Sequence, residues 1–291
     1  MGDPSTAARR VTGETRTVGV IGWPVEHSLS PAIHNAAFAA LGLDWIDVPM
    51  PVEPGRLPQA IWGLRALGFV GANVTMPHKT EATELMDAAT SDAERLRAVN
   101  TIAVEEGNLV GHNTDGPGFE RFLHRDVGFE AGGSHAVVFG AGGAARAVAL
   151  ALARAGVARV TVAARDPKRA QPLVDLVIDE GVDADAVAFE AAAPGGAGLI
   201  VNATPLGRRG ERLHLPPLGP ETVAVDLLYP EVTPLQEAVT AAGGRAFGGL
   251  GLLLHQAALS FELWTGREAP LEAMRAAAQA AIGAQVHHPG P

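Results

Sequence analysis

The stretch that decides the fold is HAVVFGAGGAARAVALAL, residues His135–Leu152. It begins with the short apolar run Ala136–Phe139 and breaks into the glycine-rich turn Gly140–Gly143. Good and moderate helix formers follow that turn without interruption. A strand, a glycine turn and a helix, in this order, form the first phosphate site of a dinucleotide-binding fold.

The glycines of this turn have separate tasks in such a site. Gly140 permits a tight turn, and Gly142 allows a pyrophosphate to approach the backbone. The amides at the start of the following helix attract the anion. Ala145 stands where close packing of helix on strand requires a small residue. An ordinary strand-to-helix turn remains the alternative, because one glycine motif is a weak signal in a chain with 35 glycines.

Composition limits the class of protein. The 291 residues suffice for one large or two ordinary domains, and 47% hydrophobic residues support a substantial core. A net charge of −10 without a basic run argues against a nucleic-acid partner. The absence of cysteine excludes disulfides, thiolate metal sites and cysteine nucleophiles.

The chain carries no signal for a membrane or for export. Residues 1–15 are expected to form a polar leader, and they lack the apolar core of a signal peptide. No run of about 20 apolar residues is present to span a bilayer. The sequence therefore predicts a cytoplasmic globular protein with no membrane partner.

Alternating strand and helix signals predict an α/β fold with mostly parallel sheets. In the first part of the chain a hairpin and a short helix over Phe119–Arg125 follow this alternation. The predicted strands are Thr17–Gly22, Asp44–Met50, Gly71–Met76, the hairpin Ala98–Glu105 with Asn108–Gly111, and then Ala136–Phe139, Val160–Ala164, Val187–Phe189, Leu199–Ala203, Val223–Leu228 and Ala246-Phe247.

We expect two α/β domains around a cleft, where a cofactor and a small substrate would meet. The substrate-binding and catalytic domain is predicted over residues 1–115 plus 251–291. The Rossmann-like dinucleotide-binding domain is predicted over residues 116–250. The last two helices, Leu250–Trp264 and Pro270–Ile282, are expected to pack on the first domain.

Loops facing this cleft carry mostly neutral hydrogen-bonding groups, with one cation and one anion. Such a set suits a small polyhydroxylated anion. Its members are Ser28, Ser30, Asn73, Thr75, Lys79, Asn100, Asp115 and Gln256.

Three of these residues have an ordinary structural interpretation as well. Lys79 is either a solvated surface lysine or a proton-transfer group, since the start of a helix disfavours a cation. Asp115 and Ser30 are each placed to cap the N-terminus of a helix. Capping does not exclude a role toward a ligand.

Eight segments of the chain, in order and at similar spacing, resemble the shikimate dehydrogenase family. They cover roughly residues 17–285. The segments are IGWPVEHSLSPAIHN (21–35), GANVTMPHK (71–79), AVNT (98–101), GHNTDG (111–116), GAGGAAR (140–146), NATPLG (202–207), DLLYP (226–230) and GLGLLLHQAALSFELWTG (249–266).

The resemblance implies reversible reduction of 3-dehydroshikimate to shikimate with NADPH, in aromatic amino acid biosynthesis. It implies Lys79 and Asp115 as the catalytic pair, without a metal, because the lysine can neutralise the charge that develops on the carbonyl oxygen. It also implies two groups of substrate-binding residues: Ser28 and Ser30 on the carboxylate with Thr75 and Tyr229 nearby, and Asn73, Asn100, Asp115 and Gln256 on ring hydroxyls.

The resemblance further implies which residues hold the cofactor. They lie in the glycine turn, at the end of the next strand, and in three later segments. The set is Gly140, Ala141, Gly142, Gly143, Ala144, Arg165, Asp166, Lys168, Thr204, Leu227, Gly249 and Leu252.

The choice between NADP and NAD rests on adjacent residues of opposite charge. An acid at this position binds the ribose hydroxyls of NAD, whereas an arginine accommodates the phosphate of NADP. The chain has Arg165 followed directly by Asp166, with Lys168 and Arg169 beyond. Arg165 fits the family pattern Asn-Arg-Thr and favours NADP. Ala164 and Asp166 depart from that pattern, and the acid leaves NAD open.

Other functions also stay open. One is an NAD-dependent quinate/shikimate dehydrogenase. Another is a non-catalytic nicotinamide-binding sensor, which would be expected to lack the pair Lys79 and Asp115. A methylene-tetrahydrofolate dehydrogenase has a comparable plan, but the serine pair and the helix with Gln256 argue against it. A homodimer is neither indicated nor excluded.

Overall fold

A computed structural model describes residues 11–192 and 197–287, and side chains as far as residue 284. The first ten residues of the predicted polar leader lie outside these ranges. The chain divides into two compact units. The first unit contains residues 11–89, 99–112 and 261–287, and the second contains residues 90–98 and 113–260. The domain bounds that the sequence predicts, 1–115 with 251–291 and 116–250, stay a prediction.

The first unit is built on a mixed sheet. Its strands lie in the order β2-β1-β3-β5-β6-β4, with β1 parallel to both β2 and β3 and with β5 antiparallel to its neighbours. Helix α10 packs on α1, as predicted for the last helix. The elements are β1 Arg16–Gly22, α1 Ser30–Ala40, β2 Trp45–Pro51, α2 Leu57–Ala66, β3 Gly71–Val74, α3 Lys79–Thr83, β4 Ala88–Ala89, β5 Thr101–Glu105, β6 Asn108–His112 and α10 Leu271–His287.

The second unit is built on a parallel sheet in the order β12-β11-β10-β7-β8-β9. The strand order reverses between β7 and β10, as in the doubly wound dinucleotide-binding fold. The elements are α4 Ser91–Leu96, α5 Asp115–Phe122, β7 His135–Phe139, α6 Gly143–Arg154, β8 Arg159–Ala164, α7 Pro167–Ile178, β9 Asp183–Ala188, β10 Leu199–Asn202, β11 Val223–Asp226, α8 Pro234–Ala241, β12 Arg245–Gly248 and most of α9 Leu250–Thr265.

Both faces of the central strands of this sheet are buried, which explains their unbroken apolar runs. Ala136 and Val138 of β7 point to one core cluster, whereas Val137 and Phe139 point to the other. Helix α6 covers the first face, and Ala145 in its first turn is fully buried. The small side chain at this position allows the helix to pack closely, as predicted.

Several element predictions are wrong in their bounds. The strand predicted at Ala98–Glu105 begins at Thr101, and the strand predicted at Gly71–Met76 ends at Val74. The strand predicted at Val187–Phe189 runs over Asp183–Ala188, because the whole segment DADAVA pairs with β8 at the sheet edge. The helix predicted over Phe119–Arg125 begins at Asp115 and ends at Phe122, followed by a wider helical turn over Leu123–Val127.

The interpretation of Ser30 and Asp115 as N-caps is also wrong, since each is the first residue inside its helix. The preceding backbone is already helical, and a residue two positions earlier takes the exposed amide. Ser30 donates its N–H to Ser28 Oγ at 3.3 Å, and Asp115 donates its N–H to Asn113 Oδ1 at 3.1 Å. By contrast, Thr233 caps α8 with a full capping box.

Helix α9 begins in the second unit. A Cβ on Gly118 of α5 would come within 2.8 Å of the backbone nitrogen of Gln256, so the absence of a side chain lets these helices pack closely. The end of α9 belongs to the first unit, where the indole N–H of Trp264 donates to the Ile102 carbonyl oxygen at 2.9 Å. Within the described residues no helix combines the length and apolarity that a membrane span requires.

Candidate active site

A pocket of about 520 Å³ lies in the second unit at the carboxyl ends of β7, β8 and β10. These strands flank the point where the strand order reverses, the usual place for a ligand in such sheets. The pocket is lined by Gly140, Ala141, Gly142, Ala164, Arg165, Asp166, Arg169, Phe189, Ala203, Thr204, Pro205 and Leu206.

The glycine turn has the geometry that a pyrophosphate requires. Gly140 has a φ of +113°, and a Cβ there would lie 2.9 Å from the Ala203 carbonyl oxygen. Gly142 is the N-cap of α6 without a side-chain cap, and neither it nor Gly143 has any atom within 4 Å of its Cβ position. The first amides of α6 therefore have no side-chain cap, and the open space beside Gly142 and Gly143 leaves room for an anion.

Two cations also line this pocket. Arg165 and Arg169 are exposed, and neither guanidinium forms an ion pair with any residue that the structure describes. Asp166, between them, accepts the N–H of Lys168 at 3.1 Å and so caps α7. Capping of α7 therefore accounts for an acid at this position. The two arginines fit a dinucleotide that carries an additional phosphate.

Other predicted cofactor residues support the pocket or lie beside it. The hydroxyl of Thr204 is held by Asn202, and a Cβ on Gly249 would collide with the Leu227 carbonyl. Leu252 packs on the core of the second unit. Lys168, Ala144, Gly143, Leu227, Gly249 and Leu252 are not among the residues that line this pocket, and their role toward a cofactor stays a prediction.

In the first unit, the loops after β1 and β3 bring the predicted carboxylate-binding residues close together. Trp23 donates its N–H to the Met76 carbonyl at 3.1 Å, and Thr75 donates its N–H to the Ile21 carbonyl at 2.8 Å. Ser28 is half-buried and Ser30 is buried. Ser28 therefore lies on the loop after β1, Ser30 at the start of α1, and Thr75 on the neighbouring loop after β3.

The remaining candidates of the first unit surround the end of β3. Asn73 donates from Nδ2 to the Asn100 carbonyl at 3.2 Å and to Thr101 Oγ1 at 3.1 Å, and all three residues are buried. The carbonyl of Lys79 accepts the N–H of Val99 at 2.9 Å. These bonds fix the backbone of Lys79 beside the segment that carries Asn100.

Three candidates belong to the second unit. Asp115 begins α5, where the helix dipole stabilises a negative charge. Burial raises the pKa of Tyr229 above its ordinary value, with the positive charge of Arg208 opposing the shift, so its hydroxyl stays neutral. Gln256 donates from Nε2 to the Leu253 carbonyl at 2.8 Å. That Asp115, Tyr229 and Gln256 act on one substrate with Lys79 stays a prediction.

Comparison with known proteins decides the family. Residues 20–102 match the model of the shikimate dehydrogenase substrate binding domain, and residues 249–279 match that of the shikimate 5'-dehydrogenase C-terminal domain. The shikimate dehydrogenase (NADP(+)) of Citrifermentans bemidjiense is 43% identical over 290 residues, which cover 96% of this chain and 99% of that relative. The chain belongs to the shikimate dehydrogenase family.

Solved structures of the family agree with the fold. Shikimate 5-dehydrogenase from Listeria monocytogenes, in complex with shikimate and NAD, is 34% identical, with a TM-score of 0.87 over 93% of this chain and 98% of that one. The Thermus thermophilus enzyme, in complex with NADP(H) and shikimate, is 38% identical, with a TM-score of 0.82 over 91% and 99%. The predicted family, enzyme class and two-domain α/β fold class are confirmed.

Sequence reasoning missed the buried polar residues behind the pocket, Asn202 and Asp226, which begin the family segments NATPLG and DLLYP. It also missed Phe189, which lines the pocket. A signal for the first two was available, because each is a polar residue that ends an otherwise apolar and fully buried strand. Arg146, in the first turn of α6, donates to the Arg95 carbonyl at 3.3 Å. Burial, followed by the charge of Arg97, lowers the pKa of Arg146.

Proposed function

We propose that this chain catalyses the reversible reduction of 3-dehydroshikimate to shikimate with NADPH, a step of aromatic amino acid biosynthesis. The observation that carries the proposal is the pocket of the second unit, which both the glycine turn and the two arginines Arg165 and Arg169 line, in a member of this family. The names of its relatives, which include NADP(+), support the same cofactor.

The proposed chemistry requires one proton transfer by the chain. NADPH, when bound, supplies the hydride for the ketone carbon. Lys79, as an ammonium group, stabilises the negative charge that builds on the carbonyl oxygen and donates the proton to it. In the reverse direction the Lys79 amine accepts that proton from the hydroxyl. Asp115 orients the lysine and the reacting hydroxyl, and its place in the first turn of α5 supports a negative charge there.

The other candidates would bind and orient the substrate. Ser28 and Ser30 would hold its carboxylate, with Thr75 and Tyr229 nearby. Asn73, Asn100, Asp115 and Gln256 would hold its ring hydroxyls. Two findings support this assignment: neither Ser30 nor Asp115 is the N-cap of its helix, and Asn73 and Asn100 are fixed side by side.

NADP is favoured over NAD by the charges of the pocket. Arg165 and Arg169 offer two guanidinium groups without an ion-pair partner in the described ranges 11–192 and 197–287. The carboxylate of Asp166 already accepts a helix amide, which gives it a structural role apart from any ribose hydroxyl. The two arginines beside it suit the phosphate of NADP better than the hydroxyls of NAD.

The decisive experiment measures turnover with NADP⁺ and with NAD⁺, each against shikimate and against quinate. We expect the highest kcat/KM for shikimate with NADP⁺. A higher value for quinate with NAD⁺ would instead establish the catabolic alternative. Binding of a nicotinamide dinucleotide without turnover of either substrate would favour the sensor.

The cytoplasmic location and the homodimer are tested separately. The first stays a prediction from the sequence, to be checked by fractionation of cells that produce the full chain. For the second, light scattering coupled to size exclusion compares the measured mass with the 30.0 kDa of one chain.

A further inference from the structure

A buried carboxylate in the second unit forms hydrogen bonds to the end of β10 and to the segment that follows β11. Asp226 ends β11 and has no exposed surface. Its Oδ1 accepts from Asn202 Nδ2 at 3.0 Å and from the N–H of Leu228 at 3.0 Å. Its Oδ2 accepts from Thr233 Oγ1 at 2.6 Å. Three donors from three places in the chain therefore meet at one side chain.

Asn202 carries this connection into the wall of the pocket. Its Oδ1 accepts the N–H of Thr204 at 3.0 Å and the hydroxyl of Thr204 at 2.7 Å. Its Nδ2 also donates to the Leu206 carbonyl at 2.9 Å. Both Thr204 and Leu206 line the pocket. The loop after β10 is thus fixed through Asn202, and Asn202 is fixed through Asp226.

The same carboxylate holds the segment that carries Tyr229. Leu228 and Thr233, which donate to Asp226, stand on either side of Tyr229 in the sequence. Thr233 also starts α8 as the first member of its capping box. The path of the chain from β11 to α8 is therefore bound to Asp226 at two points, with Tyr229 between them.

A fully buried acidic side chain such as Asp226 is unusual for a residue that only stabilises a sheet. No cation in the described part of the chain pairs with Asp226, and only hydrogen-bond donors surround it. Burial of a carboxylate without a cation is costly, and three donors offset that cost only when all are in place. Such a fully satisfied group keeps its neighbours in one arrangement.

We propose that Asp226 is a positioning residue for both ligands of the reaction. Through Asn202 it sets the wall Thr204–Leu206 of the cofactor pocket, and through Leu228 and Thr233 it sets Tyr229 toward the substrate. The inference rests on the proposed function, because it assigns the pocket to NADPH and Tyr229 to the substrate.

The first test compares Asp226→Ala with Asp226→Asn. The alanine variant should weaken NADPH binding, measured by fluorescence titration, and raise the KM for shikimate, each about tenfold or more, with a smaller change in kcat. The asparagine variant should recover most of both losses. Its oxygen can still accept from Asn202 and Leu228, and the Thr233 hydroxyl can rotate to accept from the new amide.

The second test is Asn202→Asp, which preserves the shape and places a second carboxylate about 3.0 Å from the first. Two carboxylates at this distance share one proton. NADPH affinity should therefore be lowest near pH 8 and recover toward pH 5.5, beyond any change in the unaltered chain. This variant decides the question alone if Asp226→Ala does not fold.

The matched control is Thr222→Val, at the opposite end of β11. Thr222 is buried, and its hydroxyl accepts the N–H of Gly219 at 3.1 Å. This variant should lower the melting temperature without changing NADPH affinity or the KM for shikimate. Folded Asp226→Ala or Asn202→Asp with unchanged NADPH affinity and unchanged KM would overturn the inference. An unaltered chain that binds no NADPH would instead refute the proposed function, and the inference with it.

Discussion

The two units place candidate ligand-binding groups at the ends of strands, but they use different groups. In the first unit the end of β3 carries side chains, with Asn73 bonded to Asn100 and with Lys79 beside them. In the second unit the ends of β7 and β8 carry an open glycine turn and two unpaired arginines within the ranges that the structure describes. One surface relies on side-chain amides and hydroxyls, the other on backbone amides and fixed positive charge.

This difference corresponds to the chemistry of the two proposed ligands. A small polyhydroxylated acid presents many donors and acceptors in a fixed pattern, which only individual side chains can match. A dinucleotide presents phosphates, which helix amides and guanidinium groups bind through charge. We therefore infer that the first unit supplies substrate selection and the proton, whereas the second supplies cofactor affinity.

The largest expected effect concerns this division of tasks. Lys79→Ala should lower kcat by about 10²- to 10⁴-fold, the usual contribution of a general acid or base. NADPH affinity should be unchanged, because the lysine belongs to the unit without the nucleotide pocket. Steady-state kinetics and fluorescence titration measure the two quantities.

The sequence supplies a matched control, since its two lysines are Lys79 and Lys168. Lys168 is exposed in the first turn of α7. Lys168→Ala should retain kcat, because any effect of this predicted cofactor residue should fall on the KM for NADP⁺. Equal kcat in both lysine variants would remove Lys79 from the mechanism and end the proposed division between the units.

The next effect concerns the cations of the second unit. Arg165→Ala should raise the KM for NADP⁺ by about ten- to a hundredfold, because it removes a charge-assisted bond to a phosphate. The KM for NAD⁺ should change little. Asp166→Ser is the converse variant: it keeps a capping side chain but removes a negative charge, so the KM for NADP⁺ should fall without loss of stability. Parallel changes for both cofactors in Arg165→Ala would contradict the assignment.

A smaller effect separates backbone strain from space for the ligand. Gly140→Ala should weaken NADPH binding about tenfold and also lower the melting temperature, since a side chain at φ +113° costs roughly 1–3 kcal/mol. Gly142→Ala should weaken binding to a similar extent without loss of stability, because its φ is −80° and its Cβ position is open. Calorimetry and titration of both variants test this. Unweakened binding in Gly142→Ala would show that no phosphate lies at the turn.

The sequence predicted most of the second unit because its pattern is strongly apolar. The residues of β7 and β10 are almost all buried, so an unbroken apolar run identified each strand. The edge strand β9 was placed wrongly because DADAVA alternates with acids and shows no such run. The prediction of Ser30 and Asp115 as N-caps was wrong because their own N–H groups donate to Ser28 and Asn113, two residues earlier. Only the path of the backbone reveals these bonds.

The site was predictable where a residue type is rare or chemically specific, as with Lys79, Arg165 and the glycine turn. The network of Asp226 and Asn202 was not, because each residue takes its role from partners elsewhere in the sequence. Asn202 and Asp226 are 24 residues apart and meet only because β10 and β11 are neighbours in parallel. Sequence distance carries no information about such a pair.

The smallest expected effect tests how pH acts on the two units. In the first unit, burial lowers the pKa of His112 below its ordinary value of 6.5, although the charge of Glu105 opposes part of the shift. The folded chain then binds fewer protons than the unfolded chain, which protonates this imidazole near pH 6.5. This stability is fully present above about pH 6.5 and is lost as the pH falls through the lower pKa of the folded state.

His112→Gln should remove this part of the acid sensitivity. Melting temperatures between pH 4.5 and 8 should fall less steeply toward acid for the variant than for the unaltered chain. His27→Gln, which changes an exposed histidine of the same unit, should follow the unaltered chain. Coincident acid profiles for both histidine variants would show that the half-buried imidazole of His112 does not set the acid limit. In the second unit the shift has the opposite consequence. Burial raises the pKa of Tyr229, so stability is lost only as the pH rises above about 10.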